Sequence, residues 1–404
     1  MSRFPARLAP LAVLVTLSCN GGEAVDPGAN GVVLVGQVAV PANYGIHDQF
    51  VRDGIAFLCN WNTGLQIYDV GGGGQGGSPA NPVLLGTVVT SANGVSGGAQ
   101  VHNAWWYHAP DGAKRYVFVG QEGPTVGGIG IGATGDIHVV DVSNMADPVE
   151  VAFFHLDGLG APRDSAGAHN FWVDEQNEIL YAAYYNGGVV ALDISGTLAG
   201  DLASREIARI RPGGPGATYI WGVMLSGTSL YASDMLSGLW QLRLNGTAFE
   251  VLGGGNNVAD RFGSDLWING GFAYTGTWGA ASRTGVPGNA VKVWELDGAG
   301  APSLTDSIII ASVQTVSDVE VAPGGNLLMV TTEVGSGGGI YFYNASAGHR
   351  ARPELITHHP VGSGIHTATF ADIGGRRYVF AAKNPPGPAL LILDVTAVSA
   401  QAVP

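Results

Sequence analysis

The sequence predicts an all-β fold, a seven-bladed β-propeller in which every blade is a four-stranded sheet. A short apolar phrase that ends in a polar residue recurs seven times along the chain. Short β-branched and aromatic runs, separated by Asp-Gly or Gly-Gly turns, surround each copy and are typical of hairpins. The two ends of the chain supply complementary parts of the seventh repeat. Four-stranded units of roughly 40 to 65 residues with their own turns favour a propeller over a sandwich.

The recurring phrase is predicted to be the third strand of each blade. Its copies are Leu65–Asp69, Ile137–Asp141, Val189–Asp193, Leu239–Arg243, Val291–Glu295, Ile340–Asn344 and Leu390–Asp394. Two short strands precede each copy, and the first opens on a polar pair such as His47-Asp48. A fourth strand follows, often after a proline such as Pro148. Amphipathic helical spacing is nearly absent, which favours an all-β chain.

The chain ends predict how the ring closes. Residues 32–40 resemble a fourth strand, whereas the last unit, residues 365–395, supplies only three. Pairing the N-terminal strand with those three would complete the seventh blade and remove the open sheet edge. We therefore predict one propeller domain over residues 32–396, followed by a C-terminal tail over residues 397–404.

Composition excludes one class of partner and favours a large core. Hydrophobic residues make up 46% of the chain and charged residues 12%, with a formal net charge of −14. A field of this sign repels a phosphate backbone, so we expect no nucleic-acid partner. Cys59 lies in an apolar run and is predicted to be a buried thiol, and no disulfide framework exists.

Residues 1–19 are predicted to be a signal peptide. Two arginines, Arg3 and Arg7, precede an apolar stretch from Leu8 to Leu17 that is too short to span a bilayer. The stretch ends at Cys19, which a flexible polar linker over residues 20–31 follows. The segment resembles a bacterial lipoprotein signal, in which the cysteine becomes the lipidated N-terminus and anchors the protein to the membrane. An ordinary secretory signal is the alternative. Lipoprotein signals usually carry leucine three residues before the cysteine, and Thr16 stands at that position.

The repeated phrases also carry a family resemblance. Leu65–Asp69 and Leu390–Asp394, with the neighbouring turn at residues 185–188, resemble the LVIVD-repeat family of bacterial exported and surface proteins. The resemblance spans residues 32–396 and is sharpest in the first three blades and the last. It implies a propeller and an exported location. Together with the lipoprotein-like signal, it predicts an outer-membrane or surface lipoprotein of the cell envelope, or else a periplasmic or secreted protein.

Alignment of the blades predicts two layers of side chains in the central channel. The first layer opens the innermost strands and contains His47, His102, His169, Trp221, Ser264, Ser317 and His366. The second layer ends the second strands and contains Trp61, Glu122, Asn186, Asp234, Trp278, Glu333 and Asn384. Because blade seven abuts blade one, the four histidines come from consecutive blades and should face one side of the channel mouth.

The histidines and Glu122 form a candidate site for a divalent transition metal such as Zn, Cu, Fe or Ni. The alternative is a structural role inherited with the repeat, because a seven-bladed channel can be too wide for four ligands to converge. Asp48, Asn103 and Asn170 are predicted to point to the opposite strand face. Candidate ligand-binding residues at the rim are Trp61, Trp221, Trp278, Asp234 and Glu333, whereas Trp106 and Trp172 are predicted to pack between blades.

Two functions follow as hypotheses, and the fold alone does not decide between them. The first is a non-enzymatic, membrane-anchored scaffold that binds a small-molecule ligand or an envelope protein through its channel rim. The second is a metal-dependent enzyme in which His47, His102, His169 and His366 bind the metal and Glu122 acts as ligand or general base.

Overall fold

A computed structural model describes residues 30–40, 45–61, 63–91, 100–123, 125–126, 133–158, 167–255, 261–279, 285–297 and 301–402. Seven four-stranded sheets form the blades of a β-propeller, as predicted. The predicted signal peptide and Cys19 lie outside the described residues. No helix among the described residues is long and apolar enough to cross a membrane.

The first described strand is β1 (Val33–Ala39). The later strands follow one another from the channel outward within each blade. Blade one contains β2 (Ile46–Arg52), β3 (Ile55–Asn60), β4 (Gly64–Asp69) and β5 (Val83–Val88). Blade two begins with β6 (Val101–Trp106) and β7 (Tyr116–Gln121), continues through a small hairpin of β8 (Thr125–Val126) and β9 (Ala133–Thr134), and ends with β10 (Ile137–Asp141) and β11 (Val149–Phe154). Blade three contains β12 (Phe171–Asp174), β13 (Ile179–Ala183), β14 (Val189–Asp193) and β16 (Glu206–Ile210), while β15 (Gly200–Asp201) adds to β11 in parallel.

The remaining blades repeat the same order. Blade four contains β17 (Ile220–Ser226), β18 (Ser229–Asp234), β19 (Gly238–Asn245) and β20 (Ala248–Gly254). Blade five contains β21 (Phe262–Asn269), β22 (Phe272–Trp278), β23 (Ala290–Glu295) and β24 (Ser303–Ile309). Blade six contains β25 (Thr315–Val321), β26 (Leu327–Glu333), β27 (Gly339–Asn344) and β28 (Glu354–Pro360). Blade seven contains β29 (Ile365–Ile373), β30 (Arg376–Lys383) and β31 (Ala389–Asp394), and a four-residue helix α1 (Thr396–Ser399) follows.

The N-terminal strand closes the ring as the sequence predicts. β1 pairs antiparallel with β31, so that Val33 lies opposite Asp394 and Ala39 opposite Ala389. The resulting sheet order is β1-β31-β30-β29. Because the first and last parts of the chain share one sheet, blade seven has four strands like its neighbours.

The hydrophobic core lies between neighbouring blades. Phe57 and Cys59 of blade one pack with Trp106 and Val119 of blade two, and all four are at most 4% exposed. Burial of each such side chain stabilises the fold by roughly 1.5–3 kcal/mol. The predictions that Trp106 packs between blades and that Cys59 is a buried free thiol are confirmed.

The closing polar residue of the recurring phrase stabilises the turn that follows it. In five blades its side-chain oxygen accepts a hydrogen bond from the backbone N–H two residues later, an Asx turn. The donor–acceptor pairs are Gly71 with Asp69, Ser143 with Asp141, Ser195 with Asp193, Ser346 with Asn344 and Thr396 with Asp394, at 2.9–3.0 Å. Arg243 and Glu295 cannot form this short turn, which explains why the phrase is weakest in blades four and five.

Candidate functional site

The innermost strands present the first layer of side chains through β-bulges. In six blades, the register between the first and second strands shifts at the pair of residues that opens the first strand. The shifts lie between Ile46 and Asp48, Val101 and Asn103, Ile220 and Gly222, Gly263 and Leu266, Val316 and Asp318, and Ile365 and Ala368. A bulge inserts an extra residue and re-aims its side chain. Six of the seven first-layer residues, all but His169, therefore stand where the strand is bulged.

The four histidines lie side by side in an arc. The ring centroids of His366 and His47 are 4.1 Å apart, those of His47 and His102 4.1 Å, and those of His102 and His169 3.9 Å. Trp61 stacks on His47 at 4.5 Å with an interplanar angle of 17°. The expectation that the histidines come from consecutive blades and face one side of the channel thus matches the arrangement in the structure.

Acidic and phenolic groups hold one end of this arc. His366 Nδ1 lies 2.6 Å from Glu333 Oε1, and His366 Nε2 lies 3.0 Å from His47 Nε2. Glu122 Oε2 lies 3.9 Å from His47 Nε2, while Glu122 Oε1 accepts a hydrogen bond from the Tyr185 hydroxyl. Tyr185 therefore fixes the orientation of the Glu122 carboxylate beside the ring of His47.

His102 is the most unusual member of the arc. It is only 1% exposed, and neither of its ring nitrogens makes a hydrogen bond of normal geometry among the described residues, although the Asn103 side chain lies close enough to raise its pKa. Nδ1 of His47 and Nδ1 of His169 likewise make no hydrogen bond of normal geometry there. A buried polar atom without a partner costs about 1–3 kcal/mol, so such groups in a folded protein point to an additional ligand.

Burial sets the protonation of the histidines in two opposite ways. It lowers the pKa values of His47 and His102, and neighbouring imidazoles lower them further. Burial also lowers the pKa of His169 to about 3. At His366, burial is outweighed by the attraction of Glu333, which raises the pKa of this histidine above its usual value. His47, His102 and His169 are consequently neutral imidazoles near pH 7, the form that binds metal ions.

Three donors lie close enough to share one ion. Single ligand atoms of His47, His102 and Glu122 all lie within 4.8 Å of one another, and no other group of three His, Cys, Asp or Glu residues does so among the described residues. Donors around a tetrahedral ion at 2.0–2.1 Å are about 3.4 Å apart, so coordination would require these three atoms to approach one another by up to about 1.4 Å. His169 and His366 extend the arc on either side of this group.

The other predicted rim residues divide between the channel and its walls. Trp221 lies 4.4 Å from His169 and 6.3 Å from Trp278, so aromatic rings continue the arc where the histidines end. Asp234 is fully buried and accepts hydrogen bonds from the backbone N–H groups of Tyr219 and Leu236 at 3.1 and 2.8 Å. Asp234 therefore stabilises a turn through these two hydrogen bonds.

A cavity of about 230 Å³ occupies the channel beside the histidine arc. Asp48, Asn103 and Asn170 line it. None of the four histidines lines this cavity, so Asp48, Asn103 and Asn170 present their side chains to a different part of the channel from the histidines next to them.

Three further carboxylates line the same cavity, those of Asp265, Asp318 and Glu320, and none of them was predicted from the sequence. A signal for Asp48, Asp265 and Asp318 was present: the residue after each first-layer residue is polar in six of the seven blades, with Gly222 the exception. Glu320 lies two residues beyond Asp318, and no repeat pattern indicates it.

The fold and the channel define the class of this protein: a β-propeller whose central channel is lined by histidines and carboxylates. Residues 131–155, which contain β10 and β11, match the LVIVD repeat, a repeat family found in β-propeller proteins. The resemblance read from the sequence is thereby confirmed. No curated protein sequence matches the chain. Among solved structures, the chain is similar to the computationally designed Ika8 protein, with a TM-score of 0.49 and 12% identity over 86% of this chain and 82% of that chain.

Proposed function

We propose that this chain is an exported, membrane-anchored β-propeller that acts as a binding scaffold, and that its channel holds a divalent transition-metal ion through His47, His102 and Glu122. The observation that carries the proposal is the pair of ring nitrogens on His102 without a hydrogen bond of normal geometry, on a residue that is 1% exposed beside another neutral histidine and a carboxylate. Coordination supplies the partner that His102 lacks, and two imidazoles with one carboxylate suit Zn, Cu, Fe or Ni.

The surroundings of the three donors support this assignment. Trp61 holds the His47 ring by stacking, and the Tyr185 hydroxyl orients Glu122. Groups that orient metal ligands in this way commonly strengthen binding by 10- to 100-fold. None of the comparisons supports the enzymatic alternative, so we propose binding, with an envelope protein or small molecule as the partner at the rim.

Metal analysis of protein purified without an affinity tag tests the proposed site. We expect about one transition-metal ion per chain in the original protein, and loss of most of it in His102→Ala and Glu122→Gln, since each change removes one of three donors. His155→Ala is the matched control, because that histidine has a 44% exposed side chain and lies outside the channel. Absence of metal from the original protein, or its retention by both channel variants, would contradict the proposal.

The anchor has a separate test. Cys19→Ala should move the protein from the membrane fraction to the soluble fraction after cell lysis, because no lipid can then be attached. Continued sedimentation with membranes would show that Cys19 is not the anchoring residue.

A further inference from the structure

The cavity beside the histidine arc, here called the acidic chamber, gathers carboxylates from three blades. Asp48 comes from blade one, Asp265 from blade five, and Asp318 and Glu320 from blade six. No lysine or arginine is among the described residues that line it. The chamber therefore concentrates carboxyl groups inside the protein without a basic side chain in its wall.

Backbone and amide donors fix these carboxylates in place. Asp318 Oδ2 accepts from the Ala368 N–H at 2.8 Å, and Glu320 Oε1 accepts from the Phe370 N–H at 3.1 Å. Asp265 Oδ1 accepts from the Asn170 side chain at 2.7 Å. The orientation of the carboxylates is consequently built into the fold.

The ionised form of the carboxyl groups is unfavourable in the chamber. Burial raises the pKa of Asp265, Asp318 and Glu320, and repulsion from Asp318 adds to the rise at Asp265 and Glu320. The attraction of His366 in blade seven opposes the rise at Asp318. A cation placed among the carboxylates would stabilise their ionised forms, because opposite charges within about 4–6 Å favour ionisation.

A buried amide gives independent evidence for a ligand. Gln49 lines the acidic chamber, is 3% exposed, and neither its amide oxygen nor its amide nitrogen has a hydrogen-bond partner among the described residues. A buried amide without partners costs about 1–3 kcal/mol, which a bound molecule with a polar hydrogen can recover.

Aromatic rings form the entrance to the chamber. The aromatic mouth consists of Phe50, Trp105, Trp172 and Trp267, all half-buried. Successive ring centroids are 5.2, 5.4 and 6.4 Å apart. Such rings attract cations through their faces, most strongly tryptophan. The nearby guanidinium of Arg52 is already paired with Glu175, at 2.5 and 3.1 Å.

We propose that the acidic chamber is a second binding site, which takes a small organic ammonium ion through the aromatic mouth and places its N–H groups against Asp265, Asp318 and the Gln49 amide. The aromatic lining and the volume of about 230 Å³ favour an organic cation over a bare metal ion. A calcium ion needs six to eight oxygens at 2.3–2.6 Å and gains nothing from tryptophan.

Calorimetric titration with putrescine, in buffer that contains EDTA, tests the site separately from the metal. We expect one putrescine per chain, and much weaker binding of 1,4-butanediol, which has the same carbon chain without charge. Asp265→Asn and Asp318→Asn should each weaken putrescine binding by about tenfold or more. Trp105→Leu should weaken it as well, because a cation–π contact is lost.

Glu250→Gln is the matched control, since this carboxylate lies on the outer strand β20 with a side chain 51% exposed, and it should change the affinity less than about twofold. Thermal unfolding of each variant shows whether it is folded; the asparagine variants remove repulsion and should remain so. Equal binding of butanediol and putrescine, unchanged affinity in both asparagine variants, or displacement of putrescine by equimolar calcium in a parallel titration without EDTA would overturn the proposal.

Discussion

Replacement of Asp69 by asparagine should destabilise the protein at neutral pH. The Asp69 carboxylate accepts five backbone N–H groups of one glycine-rich loop: Gly71, Gly72 and Gly73 on Oδ1 at 2.8–3.0 Å, and Gln75 and Gly77 on Oδ2 at 2.8 and 3.2 Å. Burial alone would raise its pKa, but these donors outweigh burial and lower the pKa from 3.8 to about 2.

The size of the effect follows from that pKa. Each unit of difference between folded and unfolded chains corresponds to about 1.4 kcal/mol, so the ionised carboxylate contributes about 2 kcal/mol to stability. Asparagine loses this contribution and also directs an amide N–H₂ toward the donors of Gln75 and Gly77. Because the folded pKa is depressed, the contribution is fully present above pH 3.8 and is lost as the pH falls to about 2.

Urea unfolding of both proteins between pH 7 and pH 2 measures the difference. We expect a gap of about 2 kcal/mol at pH 7 that shrinks steadily below about pH 4. Asp193→Asn is the matched control: this carboxylate accepts only one backbone N–H among the described residues, pairs with Arg205, and is 44% exposed, so the cost should stay below about 1 kcal/mol. A gap at Asp69 that is absent at pH 7, or that does not change with pH, would refute the reasoning.

Two further predictions concern close packing. Gly36→Ala should destabilise the closing strand β1 by more than about 2 kcal/mol, because the new Cβ would stand 2.0 Å from the carbonyl oxygen of Pro79; Gly348→Ala, with nothing within 4 Å, is the control and should be nearly neutral in urea unfolding. Cys59 should resist a thiol reagent such as DTNB in the folded Cys19→Ala protein and react fully in urea, because burial removes access and raises its thiol pKa. Rapid reaction under native conditions, or equal costs of the two glycine changes, would contradict the packing described here.

Much of the fold could be predicted because its signals are local and repeated. The phrase Leu65–Asp69 recurs since one strand and one Asx turn are needed in every blade, and the structure supplies the hydrogen bond that explains its closing aspartate. Closure by β1 followed from counting strands at the two ends. Blades four and five were harder to read because Arg243 and Glu295 replace the aspartate.

The channel was predicted only in part. Alignment of the blades identified the four histidines, but it did not show that Asp48, Asn103 and Asn170 line a cavity of their own. The acidic chamber depends on Asp265, Asp318 and Glu320. Asp265 and Asp318 lie about 50 residues apart, and Glu320 follows Asp318 by two residues, so the three meet only when blades five and six pack together.

The most direct test of the account is an anomalous-diffraction map of crystals grown from protein purified without chelator. We predict one transition-metal peak in the channel, within coordination distance of His102, His47 and the Glu122 carboxylate. A map in which the channel has no such peak at these three side chains, while metal analysis finds the ion elsewhere or not at all, would contradict the proposed function.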